Sequence, residues 1–203
     1  MYKHLIYDFD GTLSDTYPVA TEALLEILRE RGVEEDYDAA YAKLKVSFRH
    51  AIRTYTQFDY DELYPAFVAR AAENAKAMQR PFAETKEILA AAVKAGKKNY
   101  IYTHSGPEVL EILAKWEIAE YVTYVLDKSH GFPLKPDPTA LNFLCEKFAI
   151  DPDQALMIGD RDIDIEVGHN AGMKGVLFDP EGFYADFPTD YRVSNLLEIQ
   201  KLF

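Results

Sequence analysis

Short apolar runs recur along the chain, and most of them end at a polar residue or a glycine. Runs of this length that are apolar throughout are typical of strands buried on both faces of a parallel sheet. Helical patterns separate the runs from about residue 83 onward, so the alternation predicts an α/β fold with an open, doubly wound parallel sheet. The five predicted strands occupy residues 4–7, 99–103, 121–126, 155–159 and 174–178.

The helical patterns carry start and stop signals of their own. Gly96 follows the stretch ETKEILAAAVKA and predicts the end of that helix, since glycine favours the position just beyond a helix. In the stretch DPTALNFLCEKFA we expect Asp137 to be the N-cap and Pro138 to be the first helical residue.

Residues 17–80 break this alternation, because they have a helical pattern almost throughout. A helical block inserted after the first strand predicts a separate all-helical cap domain at 17–80, beside an α/β core domain built from residues 1–16 and 81–203. Pro18 and Pro81 lie at the two joints, where proline disfavours a continuous helix.

Composition and charge exclude several classes of partner. The 203 residues have a formal net charge of −12, whereas a protein that binds nucleic acid needs clustered Lys and Arg. No segment approaches the ~18 apolar residues of a membrane span, and the first apolar run is too short for a signal peptide. The single cysteine, Cys145, excludes an intramolecular disulfide. We therefore expect a cytoplasmic monomer or homodimer whose partner is a small molecule, not a nucleic acid or a membrane.

Polar side chains follow several of the predicted strands. Ligands of open parallel sheets bind beyond the carboxyl ends of the strands, so these side chains are expected to meet along one edge, which we call the carboxyl rim. Asp8 and Asp10 follow the first strand, and Lys135 precedes a helix in the stretch PLKPDP. The residues expected at the carboxyl rim are Asp8, Asp10, Thr103, His104, Ser105, Lys135, Asp160, Arg161, Asp162 and Asp164.

This mixture of acidic, hydroxyl and cationic groups suits phosphoryl transfer. Several carboxylates at one place raise one another's pKa and resist ionisation unless a cation is present, and oxygen ligands alone favour Mg²⁺ over Zn²⁺. With Mg²⁺ bound, an aspartate stays ionised and can attack phosphorus to form an aspartyl phosphate. Thr103 can donate a hydrogen bond to a phosphoryl oxygen, and Lys135 can offset negative charge. Asp10 can protonate the leaving group and later deprotonate water.

Four stretches in this order, DFDGTLSDT, YTHSG, PLKPDP and MIGDRDIDIEVG, resemble the motifs of the haloacid dehalogenase (HAD) superfamily. The resemblance is closest to its phosphoglycolate phosphatase-like and β-phosphoglucomutase-like members, which carry a helical cap after the first motif. It runs from residue 8 to residue 164 and implies a Rossmann-like core with an inserted cap.

The resemblance also implies catalytic roles. Asp8 matches the nucleophile and a magnesium ligand, and Asp10 matches the general acid/base, whose backbone carbonyl also meets the metal. Thr103 matches the phosphate-binding hydroxyl, and Lys135 matches the lysine that steadies the nucleophile and the phosphoryl group.

Four further positions complete the predicted site. Asp160 matches a carboxylate that binds the metal directly, and Asp164 matches one for which direct and water-mediated binding both stay open. His104 is a candidate for contact with the substrate because it lies beside the phosphate-binding threonine. Arg49 lies where related caps place substrate-facing residues, and its guanidinium suits a second anionic group.

The residues discriminate among the reactions of this superfamily. Its dehalogenases and phosphonatases lack the second aspartate of the first motif, so the presence of Asp10 disfavours both. Its β-phosphoglucomutase-like members carry a histidine four residues beyond the threonine equivalent to Thr16, and this chain has Ala20 there. Mg²⁺-dependent hydrolysis of a small-molecule phosphate monoester is therefore the leading prediction, with mutase chemistry as the alternative.

Two other classes of protein share parts of this pattern. A phospho-accepting signalling domain also combines an aspartate cluster, magnesium, a threonine and a lysine on a parallel sheet, although its acceptor follows a later strand and it lacks a helical insertion. A catalytically idle binding protein on the same scaffold is disfavoured because every matched catalytic position is intact. The substrate stays open among phosphoglycolate, sugar phosphates and nucleotides.

Overall fold

The computed structural model describes residues 1–203, which divide into two compact units. Met1–Ser14 and Pro81–Phe203 form the α/β unit, and Asp15–Arg80 form the helical unit. The α/β unit contains all the strands, whereas the helical unit contains four helices and no strand. The predicted α/β fold class and the all-helical character of the insertion are confirmed.

Six strands form one sheet in the order β3-β2-β1-β4-β5-β6, and every neighbouring pair is parallel. The strands are β1 (His4–Tyr7), β2 (Lys98–Tyr102), β3 (Val122–Leu126), β4 (Ala155–Gly159), β5 (Lys174–Phe178) and β6 (Tyr191–Val193). The five predicted strands are all present, with ends that agree to within one residue. The sixth strand, β6, has no signal in the sequence because its three residues include the exposed Arg192 and form no apolar run.

Eight α-helices accompany the sheet. They are α1 (Tyr17–Glu30), α2 (Tyr37–Val46), α3 (Phe48–Arg53), α4 (Tyr60–Met78), α5 (Thr85–Lys94), α6 (Glu108–Lys115), α7 (Thr139–Phe148) and α8 (Asp162–Asn170). The first four belong to the helical unit and the last four to the α/β unit. None of them combines the length and the apolar character that crossing a membrane requires.

The two signals for helix ends have different outcomes. Gly96 lies just beyond α5 with a φ of +73°, as its position in the sequence predicts. The predicted start of α7 is wrong by one residue. Its first intrahelical hydrogen bond joins the Asn142 N–H to the Pro138 carbonyl at 2.9 Å, so Pro138 is the N-cap and Thr139 the first helical residue. The Asp137 carboxylate still accepts the Thr139 N–H, at 2.9 Å.

The central strand β1 is held on all sides. Tyr7 pairs with Ile101 of β2 and with Ile158 of β4. Leu5 and Tyr7 belong to one hydrophobic layer and Ile6 to the layer on the other face, because successive side chains of a strand alternate. Since β1 is buried on both faces and paired on both edges, the residue that follows it is placed firmly between the ends of β2 and β4.

Candidate active site

Three loops and a lysine-bearing segment meet at the carboxyl rim of the α/β unit. Asp8 immediately follows β1, Thr103 immediately follows β2, and Asp160 immediately follows β4. Lys135 lies in the segment before α7, and Asp164 lies in the first turn of α8. Because β1 lies between β2 and β4 in the sheet, residues distant in the sequence come together here.

Lys135 connects this cluster. Its ammonium group donates to Asp8 Oδ1 at 2.6 Å, to Asp164 Oδ1 at 2.8 Å and to the Tyr102 carbonyl at 2.9 Å. These three bonds use all three ammonium hydrogens, so a contact with a phosphoryl oxygen would replace one of them. Burial alone would lower the pKa of Lys135, but the carboxylates of Asp164 and Asp8 together raise it above its ordinary value. Lys135 is therefore a permanent buried cation.

Three buried aspartates form a candidate metal site. Asp8, Asp160 and Asp164 each offer one carboxylate oxygen, and these oxygens lie within 4.8 Å of one another. Burial raises the pKa of Asp8 well above its ordinary value, Lys135 opposes that shift, and Asp164 adds to it. An oxygen-only donor set with excess negative charge fits a hard divalent cation such as Mg²⁺, which would relieve the repulsion.

Further groups hold the metal-site carboxylates in place. The Thr12 hydroxyl donates to Asp160 Oδ1 at 3.3 Å, and the Arg161 N–H donates to Asp164 Oδ2 at 3.1 Å. Gly159 leaves room for Asp164, since a Cβ at this position would collide with the Asp164 side chain. Sequence reasoning missed Thr12 and Gly159, although both lie inside the motif stretches and could have been singled out there.

Ser105 of the second motif links Thr103 to Asp10. The Ser105 hydroxyl donates to Asp10 Oδ2 at 2.5 Å, and the Ser105 N–H donates to Thr103 Oγ1 at 3.0 Å. Burial raises the pKa of Asp10, while the hydrogen bond from Ser105 opposes the shift. A raised pKa suits a group that must carry a proton near neutral pH. The sequence places Ser105 at the carboxyl rim but contains no signal for its contact with Asp10.

His104 contacts the lysine-bearing segment. Its Nε2 accepts the backbone N–H of Lys135 at 2.9 Å, so the ring is neutral with its hydrogen on Nδ1. Burial, followed by the positive charge of Lys135, lowers the pKa of His104 to about 4. Only Nδ1 is left for a substrate, and the contact with substrate predicted for His104 would have to use it.

Arg49 belongs to the other unit. It lies in α3 of the helical unit, where it is exposed and its guanidinium carbon is 5.9 Å from the centre of the Tyr64 ring. A cation–π contact at an exposed site contributes only about 0.5–1 kcal/mol. A role for Arg49 in binding a substrate stays a prediction.

Comparison with known proteins identifies the family. Residues 5–178 match the family model described as haloacid dehalogenase-like hydrolase, and the chain therefore belongs to this family. It is 31% identical over 183 residues to the N-acetylmuramic acid 6-phosphate phosphatase of Pseudomonas aeruginosa, covering 85% of this chain and 79% of that protein. It is 27% identical over 179 residues to the phosphoglycolate phosphatase of Aquifex aeolicus, covering 85% and 83%.

A solved structure extends the likeness over the whole chain. The crystal structure of a hydrolase from Streptococcus pneumoniae has a TM-score of 0.73 and 33% sequence identity, covering 99% of this chain and 98% of that one. The predicted membership of the HAD superfamily is thus confirmed, and with it the prediction that the protein is an enzyme of the hydrolase class. The relatives from Pseudomonas aeruginosa and Aquifex aeolicus described above are both named as phosphatases.

Proposed function

We propose that the protein is a Mg²⁺-dependent phosphatase that hydrolyses a small-molecule phosphate monoester through an aspartyl-phosphate intermediate, in the manner of phosphoglycolate phosphatases. One observation carries the proposal: the buried carboxylates of Asp8, Asp160 and Asp164 cluster at the carboxyl rim, and two of them, Asp8 and Asp164, pair with the buried Lys135 ammonium. A cluster of this kind costs stability, because buried like charges repel. This cost favours a functional reason for the cluster. The phosphatase relatives support the same reaction class.

In the first step Asp8 is the nucleophile. Lys135 holds Asp8 Oδ1, which leaves Oδ2 to attack phosphorus. A bond forms between Asp8 and phosphorus, the ester P–O bond breaks, and Asp10 gives its proton to the departing oxygen. Thr103 Oγ1 accepts the Ser105 N–H with an oxygen lone pair. The hydroxyl hydrogen of Thr103 is therefore available to donate to a phosphoryl oxygen. Lys135 offsets the charge on the other oxygens.

In the second step water completes the hydrolysis. Asp10, now ionised, takes a proton from a water molecule that attacks the phosphorus of the aspartyl phosphate. The bond between phosphorus and Asp8 breaks, inorganic phosphate leaves, and Asp8 returns as a carboxylate. Asp10 is again protonated, so protons and charges balance over the cycle.

The residues that would hold the metal are Asp8, Asp160 and Asp164, together with the backbone carbonyl of Asp10. A bound Mg²⁺ supplies positive charge that lets an anionic nucleophile approach an anionic phosphoryl group. Substrate recognition is assigned to His104 Nδ1 and Arg49, the latter for a second anionic group. A cytoplasmic location, and a monomer or homodimer, complete the proposal.

Purified protein with Mg²⁺ is expected to release phosphate steadily from p-nitrophenyl phosphate and faster, by kcat/KM, from one member of a metabolite panel. The panel contains 2-phosphoglycolate, N-acetylmuramic acid 6-phosphate, hexose phosphates and nucleoside monophosphates, because the named relatives act on the first two. Released phosphate and product are quantified together. Isomerised sugar phosphate without free phosphate would instead establish a mutase. A single stoichiometric phosphorylation without turnover would establish a phospho-accepting domain.

Lys135→Met is expected to lower kcat by about 10²–10³-fold, since a buried charge that stabilises the transition state is lost. The variant also leaves Asp8 and Asp164 without their cation, which costs on the order of 3 kcal/mol of folding free energy. Unpaired buried carboxylates bind protons more tightly than unfolded ones, so this loss of stability should grow as pH rises from about 5 to about 8. Urea unfolding and steady-state kinetics measure both effects.

The matched control for this variant is Lys174→Met. Lys174 also pairs with an aspartate, Asp190, at 2.7 Å, but on the exposed surface. Exposed pairs contribute little, so kcat and stability should stay close to those of the wild type. Equal behaviour of the two variants would contradict the role proposed for Lys135.

A further inference from the structure

Ser105 is held by its backbone on both sides. Its N–H donates to Thr103 Oγ1 at 3.0 Å, and its carbonyl accepts the Lys128 N–H at 2.9 Å. The Thr103 N–H in turn donates to the Leu126 carbonyl of β3 at 3.0 Å. The hydroxyl that contacts Asp10 is therefore carried by a segment tied to the sheet, which gives it a defined position.

We propose that Ser105 is a positioning residue for Asp10, holding Asp10 Oδ2 so that Oδ1 stays available to exchange a proton with the substrate. The hydroxyl lies 2.5 Å from Asp10 Oδ2, within hydrogen-bond distance. This inference rests on the proposed function, because it deepens the role given there to Asp10. Backbone hydrogen bonds within the turn from Phe9 to Ser14 fix the main chain of the loop that carries Asp10. The Ser105 hydroxyl adds a contact with the Asp10 carboxyl group from outside this loop.

A serine is chemically suited to this role. Its hydroxyl donates to Asp10 Oδ2, and Oδ2 remains an acceptor both when Asp10 is a carboxylate and when Oδ1 carries the proton. The contact can therefore persist through both proton transfers of the cycle. An ammonium in the same place would favour the ionised form of Asp10 by its charge, whereas the neutral hydroxyl does so less.

The proposal predicts an effect that depends on the leaving group. An alkoxide is a poor leaving group and needs a proton from Asp10, whereas p-nitrophenolate departs without one. A misplaced Asp10 should therefore slow the cleavage of alkyl phosphates and spare that of p-nitrophenyl phosphate. The comparison uses kcat/KM, since this quantity reports the steps up to departure of the leaving group and excludes the shared hydrolysis of the aspartyl phosphate.

The experiment compares Ser105→Ala with the wild type on p-nitrophenyl phosphate and on the alkyl phosphate of the panel that the wild type cleaves best. We expect kcat/KM to fall about 10- to 100-fold for the alkyl phosphate, the range typical of a lost hydrogen bond to a charged group, and less than about threefold for p-nitrophenyl phosphate. Ser105→Thr keeps the hydroxyl and should restore the alkyl activity. If Ser105→Ala fails to fold, Ser105→Cys replaces it, because a thiol is only a weak donor. This variant should likewise lose more kcat/KM for the alkyl phosphate than for p-nitrophenyl phosphate.

Ser129→Ala is the matched control. The Ser129 hydroxyl also donates to an aspartate, Asp127, at 2.5 Å, and Ser129 follows the residue that fixes the Ser105 carbonyl. Loss of this contact should change kcat/KM for neither the alkyl phosphate nor p-nitrophenyl phosphate. This result would show that loosening the segment near Ser105 is not sufficient to lower the alkyl phosphate activity. In an Asp10→Asn background, the further change Ser105→Ala should have no additional effect, because coupled residues are not additive.

Two outcomes would overturn the proposal: an equal loss on both substrates, which marks a merely structural role, or no loss on either. A wild type that hydrolyses neither substrate is a different result. It would contradict the proposed phosphatase function itself, before any variant of Ser105 is compared.

Discussion

Asp8→Asn should lower kcat for every phosphate monoester by about 10⁴-fold or more, because the amide cannot attack phosphorus. The fold should persist. Asparagine has the same shape, and its side-chain oxygen can still accept from Lys135, which now lies 2.6 Å from Asp8 Oδ1. The pKa of Asp8 is raised chiefly by burial, so removing its charge should leave the free energy of unfolding unchanged or slightly higher. Steady-state kinetics and urea unfolding test the two halves of this prediction.

A trapping experiment makes the assignment specific. Wild-type protein mixed with labelled substrate and quenched in acid should carry label on the peptide that contains Asp8, and the Asp8→Asn variant should carry none. Asp151→Asn is the matched control, since Asp151 caps a short 3₁₀ turn before β4, at the amino end of that strand. Substantial turnover by the purified Asp8→Asn variant would refute Asp8 as the nucleophile, provided that the measured mass of the variant shows that its asparagine has not deamidated to aspartate.

Removal of the metal should have an effect of similar size. We expect excess EDTA to reduce turnover to about 1% or less, since the charge of a bound cation contributes several kcal/mol to the transition state. Added Mg²⁺ should restore the activity fully. The reason lies in the candidate metal site, where Lys135 alone faces the buried carboxylates of Asp8 and Asp164.

Direct binding separates a metal site from an indirect effect of the chelator. Titration of the metal-free protein with Mg²⁺ should give a saturable heat signal, and Mg²⁺ should raise Tm, since a ligand of the folded state stabilises it. Asp160→Asn should weaken this binding strongly, because it removes one of the three carboxylates. Asp190→Asn, a surface substitution outside the site, should not. Activity that persists in excess chelator, or binding that survives Asp160→Asn unchanged, would disprove the metal site.

The strands and the principal acidic residues were predictable because their signals are local. A strand buried on both faces must be apolar at consecutive positions, so β1, β2, β4 and β5 are visible in the sequence. The edge strand β3 is visible because most of its residues are apolar, although its Thr123 is exposed. Aspartates that directly follow such strands, Asp8 and Asp160, are then placed by the general rule for parallel sheets. The short edge strand β6 has no such run, and its pairing with β5 depends on tertiary contacts.

The contacts that align the site have no local signal in the sequence, because each joins residues far apart in the chain; of these, only the contact of Lys135 with Asp8 was implied by the family resemblance. Ser105 and Asp10 are 95 residues apart, Lys135 and Asp8 are 127 apart, and Thr12 and Asp160 are 148 apart. Hydrogen-bond partners at such separations leave no periodicity in the sequence.

The sequence by itself determined the class of fold, the helical insertion and the types of chemical group gathered at the carboxyl rim, because short-range hydrophobic pattern and motif order encode them. Only the tertiary structure decided which atoms meet. The Lys135 ammonium donates to Asp8, Asp164 and the Tyr102 carbonyl, and His104 accepts the backbone N–H of Lys135. The physical reason is that a hydrogen bond is made or lost by a change of a few tenths of an ångström in the distance between donor and acceptor. The packing of β1 between β2 and β4 sets these distances.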